Sequence, residues 1–197
     1  MILPIVAYGA QVLQKKSKPI SANYPKLQEL IEDMFETMEG AQGVGLAAPQ
    51  VGLPIRLFVI DAEPFSNDEE LSENERLELS QLRKVFINAQ IIEEHGEEWN
   101  FKEGCLSIPE IREDVSRKET IKIQYLDENF QEHIEVYSGV AARIIQHEYD
   151  HIEGILFTDK LSSFKKRLLK GRLAKISQGK IDTYYPMRFP TFKTKKR

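Results

Sequence analysis

Cysteine is almost missing from this chain: Cys105 is the only one in 197 residues, so an internal disulfide is excluded. Histidine occurs four times, at His95, His133, His147 and His151. No stretch approaches the 18 or more consecutive apolar residues of a membrane span. The N-terminus has no basic region ahead of its short apolar stretch, which Pro4 and Gly9 interrupt. From these absences we expect a cytoplasmic chain with no membrane partner and no transit peptide. There is no G-x-x-x-x-G-K-[ST], and no G-x-G-x-x-G opens a helix, which removes the usual phosphate-loop readings.

What is present is concentrated in Gln146-His147-Glu148-Tyr149-Asp150-His151. H-E-x-x-H on a helix stacks two imidazoles on one face, where they can share a cation, and leaves the glutamate placed to move protons on water. The surroundings fit a helix: Ser138 with Gly139 reads as an N-cap and Gly154 as a C-terminal stop. Val140, Ile144, His147 and His151 fall at i, i+4, i+7 and i+11, a stripe facing the core. A lone histidine on such a stripe would ordinarily be a hydrogen-bonded core residue. Two of them with Glu148 between point to metal-assisted hydrolysis.

A catalytic site of this kind needs a third protein ligand and an open position. Position 157, where one class of metalloproteases carries a further histidine, holds Phe157, and Glu153 is the last glutamate of the chain. The ligand must therefore lie upstream, among His95, His133 and Cys105. We favour Cys105 in Glu103-Gly104-Cys105-Leu106-Ser107, because Gly104 permits close backbone approach and a thiolate beside a divalent cation stays deprotonated. A non-catalytic metal module would need a fourth ligand, such as His95 or His133. A third segment, Gly43-Val44-Gly45-Leu46-Ala47-Ala48-Pro49-Gln50, combines an accessible backbone with an amide donor suited to an oxyanion.

In chain order, GVGLAAPQ (43–50), EGCLS (103–107) and QHEYDH (146–151) closely resemble the three motifs of the peptide deformylases. The resemblance runs from Met1 to the helix after Leu161. It implies a deformylase-like α+β fold, antiparallel or mixed strands around a central metal-binding helix, and removal of the formyl group from N-formylmethionyl nascent peptides. By carry-over, Cys105, His147 and His151 bind the metal, Glu148 moves the proton, and Gln50 with the backbone N–H of Leu106 stabilises the oxyanion. An extended substrate is implied beside Val44 and Gly45, with Gly104 and Arg112 at the substrate end of the site. Val44, Val140 and Ile144 are candidates for the methionine pocket or, equally, for core packing. Arg143 departs from members with an apolar residue there. Iron(II) is the implied metal, with Zn²⁺, Ni²⁺ or Co²⁺ as substitutes, since one thiolate and two imidazoles suit all of them.

With 41% hydrophobic and 29% charged residues, one core is the default. We expect a single catalytic domain over 1–176 and a basic tail over 177–197. The periodicity predicts helices near 25–40, 138–154 and 162–176, and strands over 57–61, 85–92, 121–125 and 133–136, with Asp127-Glu128-Asn129 turning the last hairpin. Between Asp61 and Ser80 eight acids face only Arg76, which predicts a solvated loop or short helix at about 62–80. Residues 161–197 carry twelve Lys or Arg against Asp182 alone. The family resemblance implies a possible ribosome contact for that basic end; a solvated helix and tail is the plainer reading.

Overall fold

The structure, a computed structural model, describes residues 1–190. Its centre is a five-stranded antiparallel sheet in the order β2-β3-β4-β5-β6, built from β2 (Gly45–Ala47), β3 (Leu57–Asp61), β4 (Arg83–Cys105), β5 (Ile108–Leu126) and β6 (Glu132–Ser138). Helix α1 (Leu27–Gly40) covers one face through Ile31, Met34 and Met38, which pack with Leu57 and Val59 of β3. Helix α3 (Gly139–Glu153) covers the other, packing Ala142, Ile145 and Ile152 with Phe58 and Ile60. Alternate β3 residues thus serve opposite cores, which is why its sequence reads as a continuous apolar run rather than an alternating one.

The predicted helices are present, and Gly154 ends α3 in the left-handed region at φ 76°. Ser138 occupies the N-cap position without a side-chain cap bond; its hydroxyl pairs with Thr120 instead. The acidic stretch folds as a 3₁₀ turn over Glu63–Asn67 and as α2 (Glu73–Ser80), where Ser72 and Glu75 form a reciprocal cap.

The strands differ most from expectation. β4 and β5 form one long hairpin of 23 and 19 residues, running through the exposed Glu93-Glu94-His95-Gly96-Glu97-Glu98 segment, which has no apolar alternation. Cross-strand pairs such as Glu93 with Lys122 and Glu98 with Lys118 favour the ladder there. Register shifts near residues 88, 92, 96 and 104 bend the ribbon, and its far end delivers Cys105 to the flank of α3.

Helix α4 (Ser163–Ser177) follows, with Leu169, Leu173 and Ile176 buried. The stretch after it, expected as part of an irregular basic tail, packs on the body as far as it is described. β7 (Met187–Arg188) pairs in parallel with β1 (Ile5–Val6), and Tyr185 is buried. The remainder of that expected tail, 191–197, lies outside the described residues.

Candidate active site

Helix α3 is buried on nearly all sides, so its polar residues must find partners inside the protein. His147 donates from or shares a proton at Nδ1 with Glu103 Oε2 at 2.9 Å, which leaves Nε2 for a ligand role. His151 Nε2 lies 3.3 Å from Cys105 Sγ. One donor atom from each of Cys105, His147 and His151 lies within 4.8 Å of the others, as expected for a single shared cation. The donor chemistry fits a divalent transition metal. Burial holds His151 well below the usual imidazole range, so it stays in the neutral form that ligation requires.

His95 is exposed on the hairpin, and His133 pairs with Asp127 at 2.9 Å. Neither joins the triad, and no fourth protein ligand closes it among the described residues. Phe157 is buried with its ring 6.1 Å from that of His147, so an apolar wall stands where a longer metalloprotease motif would supply a ligand.

Glu148 is buried beside the triad, and its Oε2 has no hydrogen-bond partner. Burial pushes its carboxyl up to about 7, and the charge of Glu103 adds to the shift. Its seat exists because position 45 is glycine: a Cβ there would lie 2.4 Å from Glu148 Oε1. Gln50 is fixed in orientation as well. Its Oε1 accepts from the N–H of Ala47 at 2.8 Å, so its Nε2 must face Ser107 Oγ at 3.4 Å and Cys105 Sγ at 3.5 Å.

These groups border a cleft of about 750 Å³. Val44, Gly45, Gly104, Leu106, Arg112 and Ile144 line it, together with Gln50, Cys105, His147 and Glu148. Val140 does not: it sits one turn nearer the start of α3 than Ile144, buried in the core. Gly104 faces Arg112 across the ladder, and a Cβ would come 3.1 Å from the arginine's Cγ. β2 is an edge strand paired only with β3, so its other edge is open for an extended chain.

Four residues behind the site were not assigned a role by the motifs. Glu103 accepts from Arg117 Nε at 2.7 Å and from Arg143 at 3.0 Å while holding His147. Burial alone would raise its pKa, but Arg117 and His147 keep it well below the usual carboxylate range. Arg117 also donates to Asp150 at 2.6 Å. Asp150 therefore supports His147 through Arg117 and Glu103, without touching either histidine. Arg143, 1% exposed, also donates from Nη1 and Nη2 to the carbonyls of Val115 and Trp99, while its Nε has no partner. Glu103 was at least visible inside the cysteine motif, whereas Arg117 and Arg143 carried no signal of this role. Asp182 to Tyr185 also reach the cleft wall from the far end of the chain, and nothing in their sequence announced it.

Attack on an amide in an extended peptide is the chemistry this arrangement suits, which puts the molecule among the metal-dependent hydrolases. Residues 2–167 match the family described as polypeptide deformylase. A peptide deformylase of Christiangramia forsetii is 68% identical over 98% of both chains, and one of Flavobacterium johnsoniae 58% identical over 98% of both. The crystal structure of a peptide deformylase from Legionella pneumophila superposes with a TM-score of 0.76 at 36% identity, covering 91% of this chain and 98% of that one. The chain belongs to the polypeptide deformylase family. Its activity is hydrolysis of the N-formyl group from the N-terminal formylmethionine of newly made proteins, with release of formate.

Proposed function

We propose that Cys105, His147 and His151 hold the metal and that Glu148, Gln50 and Leu106 perform the deformylation. The observation that carries this is the unpartnered Glu148 carboxylate buried over Gly45 beside the three ligand atoms. A divalent metal bound there supplies Lewis acidity and water of lowered pKa. Glu148 takes a proton from the attacking water and returns it to the leaving amine. Gln50 Nε2 and the Leu106 N–H donate to the oxyanion as it forms. Glu103, clamped by Arg117 and Arg143, keeps the His147 ring in one orientation throughout.

The substrate backbone adds to the open edge of β2 at Val44 and Gly45, by main-chain bonds indifferent to side chains. Val44 and Ile144 supply an apolar wall for methionine, with Gly104 and Arg112 further along the chain. A peptide deformylase from Acinetobacter baumannii, 34% identical with a TM-score of 0.73, was solved with Met-Ala-Ser bound, and a peptide of that kind suits this cleft. Iron(II) is the proposed metal, on family grounds, with zinc, nickel or cobalt as substitutes. We place the reaction in the cytoplasm, where nascent chains emerge; no described helix is long and apolar enough to cross a membrane. Exposed Lys166, Arg167, Lys170 and Lys175 on α4 support a ribosome contact through RNA phosphates, for which salt-insensitive pelleting with ribosomes would be the contrary result.

The deciding experiment is formate release from an N-formylmethionyl tripeptide by anaerobically iron-loaded protein. Glu148→Ala should bind metal and release no formate. Full activity in that variant would remove Glu148 from the chemistry.

A further inference from the structure

Leu106 and Ser107 form the turn between β4 and β5, and the proposed oxyanion donor sits on that turn. Both of its carbonyls are held from outside the hairpin. The Tyr185 hydroxyl donates to the Leu106 carbonyl at 2.9 Å, and the Tyr8 N–H donates to the Ser107 carbonyl at 2.9 Å. Across the cleft, the Tyr184 hydroxyl donates to the Ala41 carbonyl at 2.8 Å, just before the glycine-rich segment. Two adjacent residues, their rings edge to face at 5.2 Å, therefore tie together the two walls between which the substrate lies.

The strap that carries them is anchored on its far side. Ile5 N–H donates to the Pro186 carbonyl and Ala7 N–H to the Arg188 carbonyl, both at 2.9 Å. The Arg188 guanidinium lies so close over Gly52 that a Cβ there would come within 1.9 Å of it. Tyr185 is largely buried where it meets Leu106 at the cleft wall.

We propose that Tyr185 is a positioning residue for deformylation: by gripping the Leu106 carbonyl it fixes the turn so that the Leu106 N–H meets the oxyanion. The proposal rests on the oxyanion role given to Leu106 above. The Leu106 carbonyl and N–H lie in adjacent peptide planes hinged at one Cα, so with Cys105 paired to Ile108 on one side and the carbonyl held on the other, the turn has few ways left to swing the N–H. A donor is effective only where it is aimed at the charge that develops in the transition state. Loss of the grip should therefore be felt in kcat rather than in substrate binding.

Tyr185→Phe keeps the ring and its packing and removes one hydrogen bond. Wild type, Tyr185→Phe and Gln50→Ala are compared, each fully metallated, by formate release and thermal midpoint. Gln50→Ala should lose about 10²- to 10³-fold in kcat, as for other oxyanion donors. Tyr185→Phe should lose about tenfold, a share of that range, with KM changed less than about twofold. If Gln50→Ala falls and Tyr185→Phe keeps its kcat, even with a lower thermal midpoint, Tyr185 is merely structural and the proposal is overturned. A loss confined to KM overturns it as well. If Gln50→Ala also keeps its kcat, the oxyanion reading fails and takes this inference with it.

Discussion

Gly45 shows how one missing methyl can decide whether a site works. A Cβ at this position would lie 2.4 Å from Oε1, 2.6 Å from Cδ and 2.7 Å from Cγ of Glu148, so the conflict involves most of the carboxylate arm. Gly45 lies in a strand, and its φ is not positive; the requirement is steric rather than conformational. Gly45→Ala should therefore fold and bind metal but displace Glu148. Because misplacement by about 1 Å can cost about 10²-fold, formate release should fall by about that factor or more. In a Glu148→Ala background the same alanine should cost no stability, a coupling that a double-mutant cycle in urea would measure. The residues proposed to carry the chemistry were legible because reactivity fixes both their type and their spacing. Arg143 was not: the helical stripe of α3 implied one solvent-facing side, whereas the helix is buried nearly all round and sends its polar residues inward. Arg117 reaches Glu103 and Asp150 across sequence separations of 14 and 33 residues, a pairing no local pattern encodes.

At the scale of elements, helices α1, α3 and α4 were legible in their apolar periodicity. Strand β3 was found at its full length, β4, β5 and β6 only in part, and β2 not at all. The charged middle of the β4–β5 hairpin is held by cross-strand partners, which become visible only once the register is known. β6 gives an element-scale test of another polar arrangement. Glu135 on β6 accepts from Lys84 Nζ and the Tyr125 hydroxyl, both at 2.7 Å, and from the Tyr137 hydroxyl, joining β4, β5 and β6. Burial alone would raise its pKa, but hydrogen bonds from Lys84, Tyr137 and Tyr125 lower it to about 2. A carboxyl depressed in the folded state contributes stability that is complete above its unfolded pKa and is lost as pH falls toward the folded value. Glu135→Gln should accordingly be less stable than wild type at neutral pH, and the gap should narrow between about pH 5 and pH 2. Urea midpoints across that range provide the check; a gap independent of pH would mean that the carboxylate charge contributes nothing.

For the whole molecule, the proposed metal site would also be a cross-link. Cys105 ends β4 at the tip of the long hairpin, while His147 and His151 lie on α3. An ion held by all three joins the sheet to its central helix, and the unfolded chain offers no such arrangement of ligands. Binding to the folded state alone stabilises it by mass action, by about 2.7 kcal/mol when free metal stands at 100 times its Kd. For a chain of this size that corresponds to a rise of roughly 5–10 °C in thermal midpoint. Loading with iron(II) or zinc should produce such a rise, and a chelator should reverse it. In Cys105→Ala the increment should shrink sharply, because two imidazoles on one helix no longer bridge two elements. An undiminished rise in that variant would mean that the stabilising ion binds elsewhere, leaving the hairpin and α3 to be held together by packing and by the hydrogen bonds that Arg143, Gln146, His147 and Asp150 make to the hairpin.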